Sequence, residues 1–295
     1  MLSIVILTFN SSKDIVSCLD SIYKNCKKYN FNNFEVLIVD NQSTDDTVAI
    51  ANKLKDQYKG LSVVINKGNF GFSKGNNEGV KSAKGDYLLF LNPDVDLIDV
   101  DFSELISFLD KDPKAGALSI KLVLDDGQLD KACHRGDPTL FRSVSYLLGL
   151  EEIFSKLPIL NRLFGGYHLV GMDMSSVHQV EAVSGAFLLV KKSVFELVSG
   201  FDEDYFMYGE DLDLCLRIRL KGFKIYYYPK YKAVHHKYRS GMKSPLLKIR
   251  RKTSFYFWQA KKIYFLKHLY KKYPKLLSDI VVKALDLKIS SFENK

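Results

Sequence analysis

The sequence predicts an α/β protein with a mostly parallel central sheet and helices on both of its faces. Short apolar runs alternate with amphipathic helical stretches through the first third of the chain, as they do when crossover helices connect parallel strands. Each apolar run also ends in a cluster of polar residues, which is where ligands bind in an open α/β sheet. The 295 residues, 46% hydrophobic and 26% charged, could form one large domain or two lobes around a cleft.

The predicted strands and helices take turns along the chain. Apolar runs rich in Val, Ile and Leu predict strands at residues 3–9, 35–39, 61–65 and 87–91. Apolar side chains at helical spacing predict helices between them at residues 14–26, 46–58 and 74–83. After a less regular segment at 124–180, a strand is predicted at 182–190, and Gly209, Glu210 and Asp211 open an amphipathic helix.

Four polar clusters are predicted to meet at one edge of this sheet. They follow the four predicted strands in order and lie at residues 8–10, 40–45, 66–69 and 92–96. Because the carboxyl ends of parallel strands share an edge, these side chains should line a common crevice. Taken singly, each cluster also has a plain structural interpretation. Ser43 and Asp45, for example, suit the N-cap of a helix equally well.

The triplet Asp94-Val95-Asp96 is a candidate cation site. It follows a buried strand that stops at Pro93, and alternate side chains of an extended segment lie on one face, so both carboxylates can reach one ion. Hard oxygen ligands suit Mg²⁺ or Mn²⁺. An isolated Asp-x-Asp is more often a solvated loop, and the prediction therefore depends on the neighbouring clusters.

A glycine series follows the third predicted strand. Gly68, Gly71, Gly75 and Gly79 fit neither Gly-x-Gly-x-x-Gly nor the Walker pattern, which argues against a dinucleotide or ATP loop. The sequence alone allows these glycines to belong to loops and turns.

Five motifs occur in a fixed order over most of the chain. They are SIVILTFN at 3–10, VDNQSTD at 39–45, NFGFSKGNNEG at 69–79, NPDVD at 92–96 and FMYGEDLDLCLR at 206–217. Together they resemble family 2 glycosyltransferases of the GT-A fold, closest to the bacterial rhamnosyltransferase-like branch. The resemblance implies a Rossmann-like sheet. We place this domain at residues 1–240, with a nucleotide-sugar-binding half at 1–98, an acceptor half at 99–240, and a basic helical extension at 241–295.

The resemblance also implies roles for individual residues. The nucleotide-sugar site would comprise Thr8, Asn10, Asp40, Asn69, Gly71, Gly75, Asn76 and Asp94. A Mn²⁺ or Mg²⁺ ion that stabilises the leaving diphosphate would be bound by Asp94, Asp96 and His235. Asp211 would take the proton of the acceptor hydroxyl as general base, which gives inversion at the anomeric carbon, with Gly185 and Glu210 on the acceptor side.

The segment around His235 departs from the family pattern. The family usually continues with two glycines and a serine, whereas this chain reads His235-His236-Lys237-Tyr238-Arg239-Ser240. The departure leaves open whether His235 binds the cation or has a structural or phosphate-facing role. Asp213, in the first helical turn, suits a partner of the helix dipole.

The implied reaction transfers one sugar from dTDP-rhamnose or a UDP-hexose to a glycan or lipid-linked acceptor in cell-surface polysaccharide synthesis. A sugar nucleotidyltransferase is an alternative with a similar layout and a metal. It should open with a glycine-rich loop that contains arginine, and residues 8–14 contain neither residue type. A processive synthase would need spanning helices and a Gln-x-x-Arg-Trp motif, and the sequence shows neither.

Positive charge is concentrated near the C-terminus. Residues 217–275 contain 19 Lys or Arg and no Asp or Glu, which leaves 24 Lys or Arg against 34 Asp or Glu elsewhere, a net charge of −10. Such a segment suggests an anionic partner. A nucleic-acid partner would also fit basic and aromatic side chains, but no nucleic-acid-binding module is recognisable and we expect none.

Helical spacing over residues 246–273 predicts one long helix in this basic segment. It groups five side chains on one side, away from Lys261 and Lys262; they are Tyr256, Ala260, Ile263, Leu266 and Tyr270. Such a helix either packs on the core with a solvated basic face or lies on an anionic membrane surface.

The sequence favours a cytoplasmic enzyme, peripheral on the inner face of the cell membrane. No basic leader precedes the first apolar run, and no stretch of about 18 apolar residues occurs. Cys18, Cys26, Cys133 and Cys215 are widely spaced without a Cys-x-x-Cys pairing, which favours reduced thiols. The sequence makes no prediction of the oligomeric state.

Overall fold

A computed structural model describes residues 1–154, 156–237 and 247–293 of the chain. Tyr238, Arg239 and Ser240 of the segment that departs from the family lie outside the described residues. So does the predicted boundary between the 1–240 domain and the 241–295 extension.

The structure contains nine strands in one sheet. Their bounds are β1 Leu2–Thr8, β2 Phe34–Asp40, β3 Leu61–Ile65, β4 Tyr87–Leu91, β5 Val95–Asp99, β6 Ala115–Val123, β7 His178–Val180, β8 Phe187–Lys191 and β9 Lys224–His235. The order across the sheet is β3-β2-β1-β4-β8-β6-β9-β5, and β7 pairs with β9. The strands β3, β2, β1 and β4 are parallel to one another, as the alternation of strands and helices predicts. From β4 onward, the pairings are antiparallel except for that between β6 and β9.

Eleven α-helices surround this sheet in the described chain. They are α1 Ile15–Lys28, α2 Thr47–Leu54, α3 Gly71–Val80, α4 Phe102–Lys111, α5 Leu140–Leu147, α6 Leu150–Ile153, α7 Pro158–Phe164, α8 Lys192–Leu197, α9 Glu210–Leu220, α10 Leu247–Tyr264 and α11 Lys275–Glu293. The α/β prediction is confirmed, and so are the first four strands within one or two residues. No helix of the described segments is long and apolar enough to cross a bilayer.

Three glycines of the series, Gly71, Gly75 and Gly79, lie in α3, while Gly68 lies in the loop before it. The helix begins at Gly71, which has a φ of +76°, three residues earlier than predicted. A Cβ added at Gly75 would lie 2.6 Å from Leu7 Cδ1, and one at Gly79 would lie 2.4 Å from Val39 Cγ2. These glycines therefore allow α3 to pack closely against β1 and β2, and they are not the loop glycines that the sequence also allowed.

The C-terminal helices pack against the sheet domain. The Phe206 and Tyr256 rings stack at 4.4 Å, and Leu140 N–H donates to Tyr273 Oη at 3.1 Å. The predicted single helix ends at Tyr264 and continues as a wider π-helical turn over Phe265–Leu269. Because this turn shifts the helical phase, Leu266 is 44% exposed, and the prediction that it lies on the packed side is wrong.

Candidate active site

One large cavity lies at the carboxyl edge of the parallel strands. Its volume is about 1750 Å³, and it is lined by residues from all four predicted clusters and from α9 and α10. The predicted site residues in its lining are Thr8, Asn10, Asn69, Gly71, Asp94, Gly185, Glu210, Asp211 and His235. Asp40, Gly75, Asn76 and Asp96 lie behind the lining. A smaller cavity of about 470 Å³ lies near the opposite edge, beside Met1 and Tyr87.

Asp40 connects two of the loops that border the cavity. It is fully buried at the end of β2 and accepts hydrogen bonds from Thr8 Oγ1 at 2.8 Å and from Ser43 N–H at 2.7 Å. Asn10 joins the same two loops, because its Oδ1 accepts from Thr44 N–H at 2.8 Å. Asp40 thus fixes the loops after β1 and β2 relative to each other.

An amide network fixes the next loop, which leads into α3. Asn41 Nδ2 donates to the Gly71 carbonyl at 2.9 Å, and Gly71 N–H donates to Asn69 Oδ1 at 3.0 Å. Asn76 bonds the Phe72 carbonyl at 2.9 Å and is 1% exposed, so its role in the structure is to stabilise α3. The role of Asn41 was missed, although the residue lies within a recognised motif.

Asp94 belongs to a buried chain of ionic groups. His235 Nε2 lies 3.5 Å from Asp94 Oδ1, and His235 Nδ1 lies 2.8 Å from Asp130 Oδ2. Burial opposes the charged imidazolium, but the two carboxylates outweigh it and raise the pKa of His235 to about 9. Burial likewise opposes ionisation of Asp94, and the contact with His235 outweighs it and lowers the Asp94 pKa. Asp130 was not predicted as a member of this site.

The residues predicted to bind a cation are only partly brought together. Asp96 Oδ2 lies 3.2 Å from His236 Nε2, while its Oδ1 is buried without a hydrogen-bond partner among the described residues. Within the described ranges, no group of three or more His, Cys, Asp or Glu side chains is arranged to bind a metal. The carboxylates and the imidazole are nevertheless donor types that suit Mn²⁺ or Mg²⁺, and the unpartnered Asp96 oxygen fits a missing ligand.

Asp211 lies in the first turn of α9 and forms a buried ion pair. Arg135 Nη2 donates to Asp211 Oδ2 at 2.7 Å and to the Val183 carbonyl at 2.8 Å, and the two side chains are 9% and 12% exposed. Gly185 N–H donates to the same Asp211 oxygen at 3.1 Å. Burial opposes the charge of Arg135, but Asp211 raises its pKa. No motif or periodic pattern marks Arg135, which lies in the irregular segment before β7.

Glu210 lies beside Asp211 and is held in its neutral form. Burial and the neighbouring Asp211 charge raise the pKa of Glu210 to about 8. Its Oε2 is buried without a hydrogen-bond partner in the described chain. Asp213 is bound instead by Arg217 Nε at 2.7 Å and by His268 Nε2 at 2.6 Å, so it connects α9 to the C-terminal helices.

The wall of the cavity opposite the sheet is built by α10. Tyr256, Phe257 and Lys261 line it, and the Lys261 ammonium lies 4.8 Å from the ring centroid of Phe257. Burial lowers the pKa of Lys261 to about 8. Lys261 was predicted to lie away from the packed side of this helix, and the structure places it in the cavity wall.

Two family models match the chain. The model described as glycosyl transferase family 2 matches residues 3–152, and one described as the N-terminal domain of galactosyltransferase matches residues 170–239. The two matches cover most of the motifs that carry the resemblance.

Curated relatives are similar over most of their length. Rhamnosyltransferase WbbL of Escherichia coli K12 is 29% identical over 248 residues, which cover 80% of this chain and 83% of that protein. The N-acetylglucosaminyl-diphospho-decaprenol L-rhamnosyltransferase of Mycobacterium tuberculosis H37Rv is 29% identical over 221 residues, 71% of this chain and 69% of that protein.

Solved structures share the fold. The mannosyltransferase of Pyrobaculum calidifontis, in complex with GDP-Man and Mn²⁺, superposes with a TM-score of 0.61 at 17% identity and covers 99% of this chain and 72% of its own. Residues 1–349 of TarS from S. aureus, in complex with UDP, give a TM-score of 0.54 at 18% identity, with 99% and 70% covered. The GT-A fold implied by the motifs is confirmed.

Proposed function

The chain belongs to glycosyl transferase family 2, and from this we propose that it inverts the anomeric carbon of one sugar as it transfers that sugar from dTDP-rhamnose or a UDP-hexose to an acceptor hydroxyl. The observation that carries the proposal is the large cavity at the carboxyl edge of the parallel strands. It brings the predicted donor-side residues Thr8, Asn10 and Asp94 to the same space as the acid pair Glu210 and Asp211. Donor and acceptor can therefore meet there.

On the donor side, we assign the nucleotide to residues 1–98. The loops after β1, β2 and β3 are fixed to one another by Asp40, Asn41 and Asn69, so the cavity wall that they form is preorganised. Preorganised polar groups lose little entropy when a ligand binds. Gly75 and Asn76 support this wall from behind by setting the position of α3.

On the acceptor side, we assign Asp211 as the general base, within residues 99–240. As the acceptor oxygen forms its bond to the anomeric carbon, its proton passes to the Asp211 carboxylate, and the bond from that carbon to the diphosphate oxygen breaks. Arg135 and Gly185 orient the carboxylate. Glu210, neutral near pH 7, can donate a hydrogen bond to an acceptor hydroxyl or ring oxygen.

We propose that Asp94, Asp96 and His235 bind a Mn²⁺ or Mg²⁺ ion together with the donor diphosphate. A divalent ion there would stabilise the negative charge that develops on the leaving diphosphate. The Mn²⁺ complex of the Pyrobaculum mannosyltransferase supports a divalent ion in this fold. His236 would have to release Asp96, whose second oxygen already lacks a partner. His235, whose pKa is raised to about 9, would have to lose a proton to the solvent as the ion binds, because only the neutral imidazole is a ligand.

We further propose a glycan or lipid-linked acceptor and a place at the cytoplasmic face of the cell membrane, in cell-surface polysaccharide synthesis. The name of the mycobacterial relative, which includes a diphospho-decaprenol, supports a lipid-linked acceptor. The apolar and basic wall that α10 contributes to the cavity is consistent with such a substrate.

Thermal shifts and turnover test the proposal together. A donor that binds the folded state raises the melting temperature, so one member of a panel of dTDP-rhamnose, UDP-galactose, UDP-N-acetylglucosamine and GDP-mannose should stand out, more strongly with Mn²⁺. EDTA should abolish transfer, and Mn²⁺ or Mg²⁺ should restore it. Asp211→Asn should lose about 10²–10⁴-fold in turnover while donor binding survives.

The matched control is Asp213→Asn, which changes a structural carboxylate two residues away. It should lower stability but should retain more of the turnover per folded molecule than Asp211→Asn. Near wild-type turnover of Asp211→Asn would remove this residue from the mechanism, and full activity in EDTA would remove the cation. Release of diphosphate from a nucleoside triphosphate and a sugar phosphate would instead indicate a nucleotidyltransferase.

A further inference from the structure

The three helices α5, α6 and α7 expose an unusual amount of apolar surface. Of the 23 large hydrophobic side chains that are exposed in the described chain, eight lie between residues 141 and 163. We call the exposed side of these helices, at residues 140–154 and 156–164, the apolar face. Its most exposed members are Leu148 at 63%, Ile153 at 67% and Ile159 at 85%. Apolar exposure concentrated in this way marks an interaction surface, whereas single exposed leucines do not.

The apolar face is one continuous surface. The Phe164 ring stacks on Phe141 of α5 at 5.7 Å and on Phe154, just after α6, at 5.0 Å, so the three short helices are joined. The helix α7 lies wholly within the described chain, and none of its residues is buried. On α5, Phe141, Val144 and Leu148 follow helical spacing on the outer side, while Ser145 is buried.

The charges around the apolar face are mainly positive. Lys156 and Arg162 are exposed among its apolar side chains. Of the two acids in the segment, Glu151 is buried against His168 and Lys131, which leaves Glu152 at the surface. Apolar side chains bordered by cations are the pattern of an element that lies in the interface of an anionic membrane.

The apolar face reaches the mouth of the active-site cavity. Val144 and Leu147 are exposed and also line the cavity that contains Asp211. From the other side, α11 contributes Ile280 and Lys288 to the same lining, and its Leu276 is 74% exposed. The apolar surface therefore borders the opening through which an acceptor would enter.

We propose that the apolar face of α5, α6 and α7 is the surface by which the enzyme binds an anionic lipid membrane. In this orientation the cavity mouth faces the headgroups, so a lipid-linked acceptor can enter the cavity without leaving the membrane. The assignment of a lipid-linked acceptor rests on the proposed function. A second copy of the chain fits less well, because a symmetric contact would bring Lys156 and Arg162 of both copies together. An anionic surface is complementary to these charges.

Vesicle binding by the full chain tests this proposal. The wild-type protein should co-sediment with vesicles of phosphatidylcholine and phosphatidylglycerol and bind weakly to phosphatidylcholine alone. A variant with Ile159→Glu and Leu163→Glu should bind the anionic vesicles about tenfold more weakly or worse, because interfacial affinity scales with buried apolar area. A second variant, Lys156→Glu with Arg162→Glu, leaves the apolar side chains in place and should also bind more weakly.

The matched control carries Leu197→Glu and Leu220→Glu, two exposed leucines at the ends of α8 and α9. It should bind as the wild type does. The proposal is overturned if the wild type binds neither vesicle, if the Ile159→Glu and Leu163→Glu variant binds as well as the Leu197→Glu and Leu220→Glu control, or if Ile159→Glu with Leu163→Glu only dissociates a dimer seen by light scattering. Transfer to a water-soluble acceptor should survive in every variant, so its absence in the wild type would count against the proposed function alone.

Discussion

The contacts of Asp211 determine which of its oxygens can accept a proton. Oδ2 accepts from Arg135 Nη2 and from Gly185 N–H, and Oδ1 accepts from Leu212 N–H at 2.8 Å. A carboxylate offers about four lone-pair directions, so three donors leave one, on Oδ1. The proposed proton transfer therefore uses Oδ1, and Arg135 acts as a positioning residue that keeps the carboxylate oriented.

Replacing Arg135 should lower turnover more than donor affinity. Arg135→Met leaves Gly185 N–H as the remaining donor to Asp211 Oδ2, so kcat should fall while the KM for the donor stays near the wild-type value. The unpaired buried carboxylate should also cost about 3–5 kcal/mol of stability. Arg135→Lys keeps the charge but lacks the planar fork that reaches both Asp211 and Val183. It should retain more stability than Arg135→Met, while turnover still falls about 10²-fold through misplacement of the base.

Arg142→Met provides the control for Arg135. Arg142 also forms an ion pair, with Glu181, but it does not line the cavity. It should leave kcat per folded molecule near the wild-type value. If Arg135→Met and Arg142→Met retained the same kcat per folded molecule, Arg135 would have no role in positioning the base.

Glu210 should make the wild-type protein less stable as the pH rises. The folded-state pKa of about 8 exceeds the usual value near 4.5, so the folded state retains a proton that the unfolded chain releases between these pH values. The free energy of unfolding therefore contains a contribution that is present below pH 4.5 and is lost as the pH rises towards 8. Glu210→Gln is neutral throughout, and its melting temperature should fall less between pH 5.5 and pH 8.

Differential scanning calorimetry of both proteins at these two pH values measures the effect. Glu196→Gln, a change at an exposed glutamate on α8, should track the wild type. An equal fall in melting temperature for Glu210→Gln and the wild type would show that Glu210 is already ionised at pH 5.5.

At the level of the elements, the sequence predicts best where local pattern and tertiary position agree. Strands β1 to β4 are continuous apolar runs because both faces of a parallel sheet are covered, and each ends in the polar cluster that it carries to the sheet edge. Thr8, Asn10, Asp94 and Asp211 follow directly from that pattern and from the motifs. The start of α3 was missed because Gly71, a poor helix former in isolation, is selected there by close packing against Phe206.

The elements that the sequence does not predict depend on contacts between distant residues. Arg135 and Asp130 lie in a segment without periodicity, and only the fold brings them to Asp211 and His235, 76 and 105 residues away. The phase change after Tyr264 depends on the π-helical turn, which a regular 3.6-residue spacing does not show. The apolar face of α5, α6 and α7 also depends on contacts between separate elements, because the Phe164 ring joins the three helices by stacking on Phe141 and Phe154.

For the whole molecule, the C-terminal helices complete the active-site cavity. Ala260, Tyr264, Phe265 and Leu269 belong to the hydrophobic core, and His268 binds Asp213 of α9. Lys267 pairs with Asp204 at 2.6 Å, in the loop before α9. The basic charge of this segment is therefore partly neutralised by the acidic body of the same chain. These contacts connect α10 to the helix that carries the proposed base.

Removing the C-terminal helices should disrupt the folded state and the site together. A chain that ends at Lys237 loses α10 and α11, which uncovers the Phe206 and Tyr208 rings that Tyr256 and Phe257 contact and leaves Asp213 with one fewer partner. Exposed core surface lowers stability in proportion to its apolar area, so this chain should unfold at lower temperature, without a sharp transition, and bind a hydrophobic dye. A chain that ends at Lys288 keeps the contacts of Tyr273 with Leu140 and of His268 with Asp213, and its melting temperature should be close to that of the wild type. If the chain that ends at Lys237 melted cooperatively and bound the donor as before, α10 and α11 would instead be an addition to a domain that folds without them.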